Sequence, residues 1–337
     1  MEDKMDNGLI QALLIGAIIL LYTLQSLFSK MFNDAYPGDP SLSPNVFSVV
    51  SGIVVALVSL FFTGFKFGEF RWETLLLGII NAVIVYGYDQ FIIKASGKGP
   101  YSIMMVFNLG GGIVIPALVS PFLPFSPFSP ILFAVQMVAV VIICVSIYLV
   151  SVKKEDAEIE EGNKSSRKVF IVISALLAIM NGLYGVIYVV HNGLMTNAFS
   201  HLEADDAIFT AVSQQKQMLV IYSFLGVALI SAIRLLATER KKVLKPFVQT
   251  KKSLILLILA SVVSAMAVNV LVLLVGVVNE TLLYTFDNAG VMLLSALASA
   301  LIFKDKLSTK NIIGCVVMTL ALVMMGASGT IAAWFGA

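Results

Sequence analysis

Charge is scarce in this chain. Of its 337 residues only 12% are Asp, Glu, Lys or Arg, whereas 59% are hydrophobic and the mean hydropathy is +0.96. Soluble domains carry about 25% charged residues, so the shortfall excludes that class and leaves an integral membrane protein. Histidine is equally sparse: His191 and His201 are the two present, too few for the clustered acid/base or metal-ligand sets that a membrane-embedded enzyme would want. No Gly-x-x-x-x-Gly-Lys-Ser/Thr loop occurs, so nothing points to ATP-driven pumping. Cys144 and Cys315 both fall in apolar runs, where thiols behave as small apolar groups. A net charge of +2 suggests no nucleic-acid partner, and neither a metal nor a cofactor is expected.

What the chain has in quantity is apolar runs of about 20 residues, the length a helix needs to cross a bilayer. They lie near 9–32, 45–65, 73–95, 100–123, 130–152, 168–191, 206–237, 253–277, 279–303 and 310–333. With short connections between them, they predict an all-α integral membrane protein of about ten transmembrane helices and no soluble domain. The first run follows the acidic "MEDKMD" and has no obvious small-residue cleavage site, so it is expected to be a retained span. If ten helices alternate, 18 of the 22 basic residues share one side, against Lys4, Lys66 and Arg71 on the other and Lys216 within a span. The positive-inside rule then predicts a multi-pass protein of the cell membrane with both termini outside. The stretch 153–167, charged of both signs, reads as a solvated linker.

Self-similarity divides the chain in two. "FNLGGGIVIPALVSPFL" from Phe107 aligns without a gap on "FDNAGVMLLSALASALI" from Phe286, at an offset of 179 that pairs Asn108 with Asp287 and Gly111 with Gly290. "FSVVSGIVVALV" from Phe47 pairs with "FTAVSQQKQMLV" from Phe209, and more faintly "LQSLFSK" with "LYGVIYV". The expected organisation is a five-helix repeat over 1–152, the linker, and a second repeat over 168–337. Five spans is an odd number, so the second copy enters from the opposite side and the repeats are inverted. Carriers that open a midplane crevice to either side in turn are often built this way.

With these repeats, and with the ending "IFKDKLSTKNIIGCVVMTLALVMMG", the chain resembles the drug/metabolite transporter superfamily, in particular its ten-helix branch with two EamA-type repeats. Where that family commonly has Gly-Glu before the last helix, this chain has Lys304 and Asp305. The resemblance implies a carrier with a central cavity lined by the first four helices of each half, the fifth and tenth lying at the periphery.

Polar residues inside the runs are the candidates for chemistry. Gln214, Gln215, Lys216 and Gln217 point all round the seventh helix at about 100° per residue, which is incompatible with lipid at depth. Either they are enclosed by protein, with Lys216, Gln214 and Gln217 facing a substrate, or they sit at the interface and Lys216 snorkels to water. On the sixth helix Asn181, Tyr184, Tyr188 and His191 share a face, which suits a cavity wall or, for the tyrosines, packing; His191, near the end of its run, is expected at the interface. The ninth carries Glu280, Tyr284 and Asp287, extended by Asn288. Glu280 reads as a first-turn acid behind an Asn279 cap or as a coupling group. Asp287 lies deeper and is expected either to pair with Lys216 or to carry a coupling proton.

On the third helix Asn81 and Tyr88 share a face, and Asp89 is poised between a cavity role and the neighbourhood of Lys94. Asn108 precedes Gly110, Gly111, Gly112 and Pro116, a run that predicts a bent, gating helix or close packing. The expectation is a secondary, alternating-access carrier of a small polar metabolite or drug-like compound, not an enzyme, monomeric or homodimeric in the bilayer, with proton coupling or exchange as its candidate driving modes. A membrane-embedded enzyme is the alternative, and a channel is weaker still for want of a filter-like repeat.

Overall fold

The apolar runs become helices. The computed structural model describes residues 8–39, 42–96, 101–123, 129–151, 164–202, 204–237, 251–302 and 308–335, and among them are eleven α-helices and no β-strand. These are α1 Gly8–Ala35, α2 Ser43–Phe62, α3 Trp72–Ser96, α4 Tyr101–Val119, α5 Pro130–Ser151, α6 Lys164–Ala198, α7 Asp205–Ala237, α8 Lys251–Leu274, α9 Glu280–Ile302, α10 Thr309–Gly326 and α11 Ser328–Trp334. Eight of them (α1, α2, α3, α5, α6, α7, α8 and α10) hold stretches long and apolar enough to cross a membrane. The protein is all-α and of multi-pass membrane type. The linker through residue 163, Lys98, Lys304, Asp305, the Lys94 side chain and, in all, half of the basic residues behind the charge asymmetry lie outside the described residues.

Local sequence sets the helix ends. Pro44 occupies the first turn of α2, where its missing N–H is no loss. Ser308 caps α10, accepting from the Asn311 backbone N–H at 3.3 Å, and its own N–H donates to Asn311 Oδ1 at 2.9 Å. This is a reciprocal capping box. Asn279 Oδ1 accepts from Leu282 N–H at 3.1 Å at the start of α9. Glu280 thus sits in a capped first turn, as one of its two readings had it. Two boundaries differ from expectation. α6 runs seven residues beyond 191, so His191 lies inside the helix. The last run is interrupted at Ala327, between the poor helix formers Gly326 and Gly329, and yields α10 and α11 instead of one span.

The chain forms two packing units. One comprises Met1–Asp89 with Val190–Val277, the other Gln90–Val189 with Val278–Ala337. Each takes helices from both expected repeats. In the first unit α1 packs on α8, and α2 on α7 and α8. α2 and α7 approach closely at Gly52, where a Cβ would lie 2.5 Å from the Phe224 carbonyl and 2.9 Å from the Ala228 Cβ. In the second unit α5 packs on α10 and α4 on α9 and α5, around Ile113, Ile143, Ile147, Ala289, Met318 and Met325. The outward faces stay apolar: Leu225, Leu229 and Ile233 on α7 and Val138, Val141 and Val145 on α5 are all exposed. Stripes of that kind are a liability in water and the normal surface in lipid.

Gly52→Val is therefore expected to destabilise the first unit by about 1–3 kcal/mol through overpacking, whereas Gly16→Ala, where a Cβ meets nothing within 4 Å, is neutral or stabilising. Thermal melting in detergent reads both; a Gly52→Val melt equal to wild type would contradict the packing described.

Candidate functional site

Each unit encloses a polar cluster. In the first, α7 brings Gln215, Lys216 and Gln217 into the interior, at 1%, 4% and 2% exposure. Enclosure, and not snorkelling, is therefore the state of Lys216. Its ammonium donates to the Val275 carbonyl at 2.5 Å, immediately after the last residue of α8. A cation there meets the negative end of the helix dipole. Gly276 follows with φ +81° and is pressed against the Asn192 amide, so a left-handed turn that favours glycine presents the carbonyl to the lysine. Gln217 is buried with neither amide atom hydrogen-bonded among the described residues.

Gln215 begins a chain of hydrogen bonds. Its Nε2 donates to the Glu69 carbonyl at 2.7 Å, and its Oε1 accepts from the Thr74 hydroxyl at 2.7 Å. Thr74 Oγ1 in turn lies 3.0 Å from His191 Nε2. Thr74 is 1% exposed and His191 0%, which corrects the expectation of an interfacial histidine. α6 runs on past it to Ala198, and its ring turns toward Thr74 inside the unit. Gln214, half-buried, and Gln215 line a pocket of about 160 Å³ together with Gly68, Glu69, Phe199 and Leu202. At its margin the Arg71 guanidinium stacks 4.8 Å above the Phe199 ring and pairs with Glu69 at 3.5 Å. Lower on α3, Asn81 Nδ2 donates to Ser223 Oγ at 3.0 Å, and Asp89 accepts a short hydrogen bond from the buried Ser48 hydroxyl. Asp89 thus has a partner on α2. Tyr88, half-buried, lies one residue before it.

The second unit joins α4, α6 and α9. Asn181 Nδ2 donates to the Asn108 carbonyl at 2.8 Å and lies 3.5 Å from Asn288 Oδ1, while Asn288 Nδ2 donates to the Tyr284 carbonyl at 2.9 Å. Tyr284, 3% exposed, donates to the Gly185 carbonyl at 3.0 Å. Tyr184 and Tyr188 meet edge to face, centroids 5.0 Å apart, with their hydroxyls at 3.4 Å. Asp287 is 8% exposed, and its Oδ1 has no hydrogen-bond partner among the described residues. Its expected partner Lys216 belongs to the other unit.

The glycine run of α4 serves packing. α4 continues unbroken to Val119 through Pro116. At Gly111 a Cβ would run into the Ala178 backbone, and at Gly112 it would lie 2.5 Å from Asn288 Oδ1 and 2.7 Å from Asn181 Nδ2. Of the two readings of this run, close packing is the one these contacts match, because the missing side chains bring helices together where the amides meet.

Of the sequence candidates, then, Lys216, Gln217 and Gln214 share α7 of the first unit with Tyr88 and Asp89 on α3. Asn108, Asn181, Tyr184, Tyr188, Tyr284, Asp287 and Glu280 share the second. Thr74 was not among the candidates, and Gln215, one of the four polar residues of α7, was not singled out as facing a substrate. Thr74 stands in the first turn of α3, where a polar residue ordinarily reads as a helix start, and only the approach of α6 and α7 gives it partners.

No protein-family model matches the chain, and no curated protein does. A solved structure described as "Crystal structure of protein" is similar over 93% of this chain and 96% of its own, with a TM-score of 0.63 and 16% identity. That is a likeness of fold alone.

Thr74→Val keeps the shape and removes the hydroxyl's contacts with Gln215, His191 and the Met195 sulfur. It is expected to cost about 1–3 kcal/mol by stranding the buried Gln215 and His191, and Thr74→Ser to restore most of it. Equal stability of the Val variant in a detergent unfolding series would contradict the chain of contacts.

Proposed function

We propose that the protein is a secondary carrier of a small polar metabolite or drug-like compound in the cell membrane, working by alternating access. The observation that carries this reading is the enclosed cation of α7: Lys216, 4% exposed between the buried amides of Gln215 and Gln217, in a helix whose outer face is lipid-compatible. Polar groups at such depth are functional candidates by default. The resemblance to the drug/metabolite transporter superfamily supports it. So do the helix partners: α2 with α7, α4 with α9 and α5 with α10, each five helices apart, as equivalent elements of two inverted five-helix repeats would be.

In this reading Lys216, Gln214 and Gln217 bind substrate in one unit. Tyr88 is a further binding candidate of that unit, and Asn181, Tyr184, Tyr188, Asn108 and Tyr284 are those of the other. Asp287 is the coupling carboxylate, with Asp89 and Glu280 as lesser candidates because each already has a structural role or partner.

A thermal-shift screen of the full chain against metabolites grouped by charge tests this. A ligand at about 100 times its Kd stabilises by roughly 2.7 kcal/mol, and the shift is expected to vanish in Lys216→Ala. Full stabilisation of that variant would remove Lys216 from the site. In proteoliposomes, uptake by Asp287→Asn is expected to lose its dependence on a proton gradient, and an unchanged dependence would take coupling away from this carboxylate.

A further inference from the structure

A short strap, residues 64–71, joins α2 to α3 and lies against the polar cluster of the first unit. α2 ends in a Schellman turn, with the Gly64 N–H donating to the Phe61 carbonyl at 2.9 Å and the Phe65 N–H to the Leu60 carbonyl at 3.0 Å. Gly64 and Phe65 have φ of +61° and +59°. Phe65 is the one non-glycine residue in that left-handed region among the described residues, a conformation that bulky side chains avoid and that lasts only where the surroundings impose it. From Phe67 to Phe70 no backbone–backbone hydrogen bond follows among the described residues, and both of these rings are exposed.

Inward, the strap is held at three places. The Glu69 carbonyl accepts from Gln215 Nε2 at 2.7 Å. Gly68 comes so near α7 that a Cβ would lie 3.1 Å from Gln215 Nε2 and 3.3 Å from Gln214 Oε1. Arg71 stacks 4.8 Å above the Phe199 ring at the end of α6 and pairs with Glu69 at 3.5 Å.

These holds are light. A partly exposed stack and a surface ion pair are each weak, and Arg71 Nε has no hydrogen-bond partner among the described residues. The pocket of about 160 Å³ lies between Gly68 and Glu69 of the strap and Phe199, Leu202 and Gln214, whereas a permanent seam packs to interior density. Segments with so few contacts open first. What the strap covers, by contrast, is tightly bound: Gln215 is 1% exposed, and its oxygen holds Thr74, which reaches His191. Lifting the strap would strip the partner from Gln215 Nε2 and uncover the amide that precedes Lys216 and Gln217.

We propose that the strap 64–71 is a gate over one mouth of the first unit's polar cluster, hinged at Gly64 and Phe65, latched by Arg71 on Phe199 and caught by Gln215. This rests on the carrier reading above and deepens it by naming the part that moves.

Thiol labelling of the full chain in detergent tests the gate, with a small membrane-impermeant thiosulfonate as the probe and Cys144 and Cys315 replaced. Gln217→Cys, which is buried and loses no described hydrogen bond, is expected to react slowly. Arg71→Ala removes both the stack and the ion pair, and the reaction is then expected to run about tenfold faster. Arg71→Lys keeps the positive charge for both and is expected to stay near the wild-type rate. Ser146→Cys, buried in the second unit, reports general loosening and is expected to stay slow throughout. A Gln217→Cys rate indifferent to Arg71→Ala, or a matching rise at Ser146→Cys, would overturn the proposal. Should Gln217→Cys misfold, spin labels at the exposed positions Phe67 and Thr210 read the strap against α7 directly. A second, longer distance is expected to appear in Arg71→Ala, and an unchanged distance distribution overturns the gate. Failure of wild-type uptake in proteoliposomes would instead strike at the carrier reading and leave the movement of the strap standing.

Discussion

Hydrocarbon neither donates nor accepts a hydrogen bond, and every polar group that this chain carries into its spans answers to that constraint. The commonest answer is local. Thr23, Ser59, Ser146, Ser223 and Ser261 each donate to the carbonyl four residues back, so the hydroxyl is satisfied by its own helix and asks nothing of the fold. Side chains too long or too charged for that solution must reach another helix, and they mark where the helices of each unit are obliged to meet. Lys216 reaches the end of α8, Gln215 and Thr74 bind α7 to α3 and α6, and Asn181 ties α6 to α4.

Polar contact and close packing depend on one another in both units. The amides of Asn181 and Asn288 approach only because Gly112 leaves room for them, and the carbonyl that Lys216 uses is presented by a turn that needs Gly276. Side chains such as Gln217 and Asp287 gain less from their surroundings: both are buried with polar atoms unpaired among the described residues. Such groups weaken a fold by about 1–3 kcal/mol each, which makes a functional reason for keeping them more economical than a structural one.

Helix positions were largely legible in the sequence, because composition alone separates lipid-facing runs from their connections; each of the ten apolar runs lies on a helix. Ends were less so, since α6 passes His191 with no sequence punctuation and α10 stops at a Gly-Ala-Ser-Gly stretch that is still apolar enough to read as span. The enclosure of Lys216 could be argued from the four polar residues surrounding one helix. The partners could not. Thr74 and Gln215 acquire meaning only from contacts 117 and 141 residues away in sequence, and the α4 glycines look the same in sequence whether they bend a helix or seat its neighbours.

The central claim is that the polar cluster around Lys216 is sealed within the protein yet reached from each side of the membrane in turn. Its most direct test is cysteine accessibility at Gln217, in a chain whose two native cysteines, Cys144 and Cys315, have been replaced. Gln217→Cys in sealed vesicles of either orientation should react with a small membrane-impermeant thiol reagent from both sides, at rates that a bound substrate or inhibitor changes in opposite directions. Reaction from one side only, or from neither, would contradict alternating access at this site.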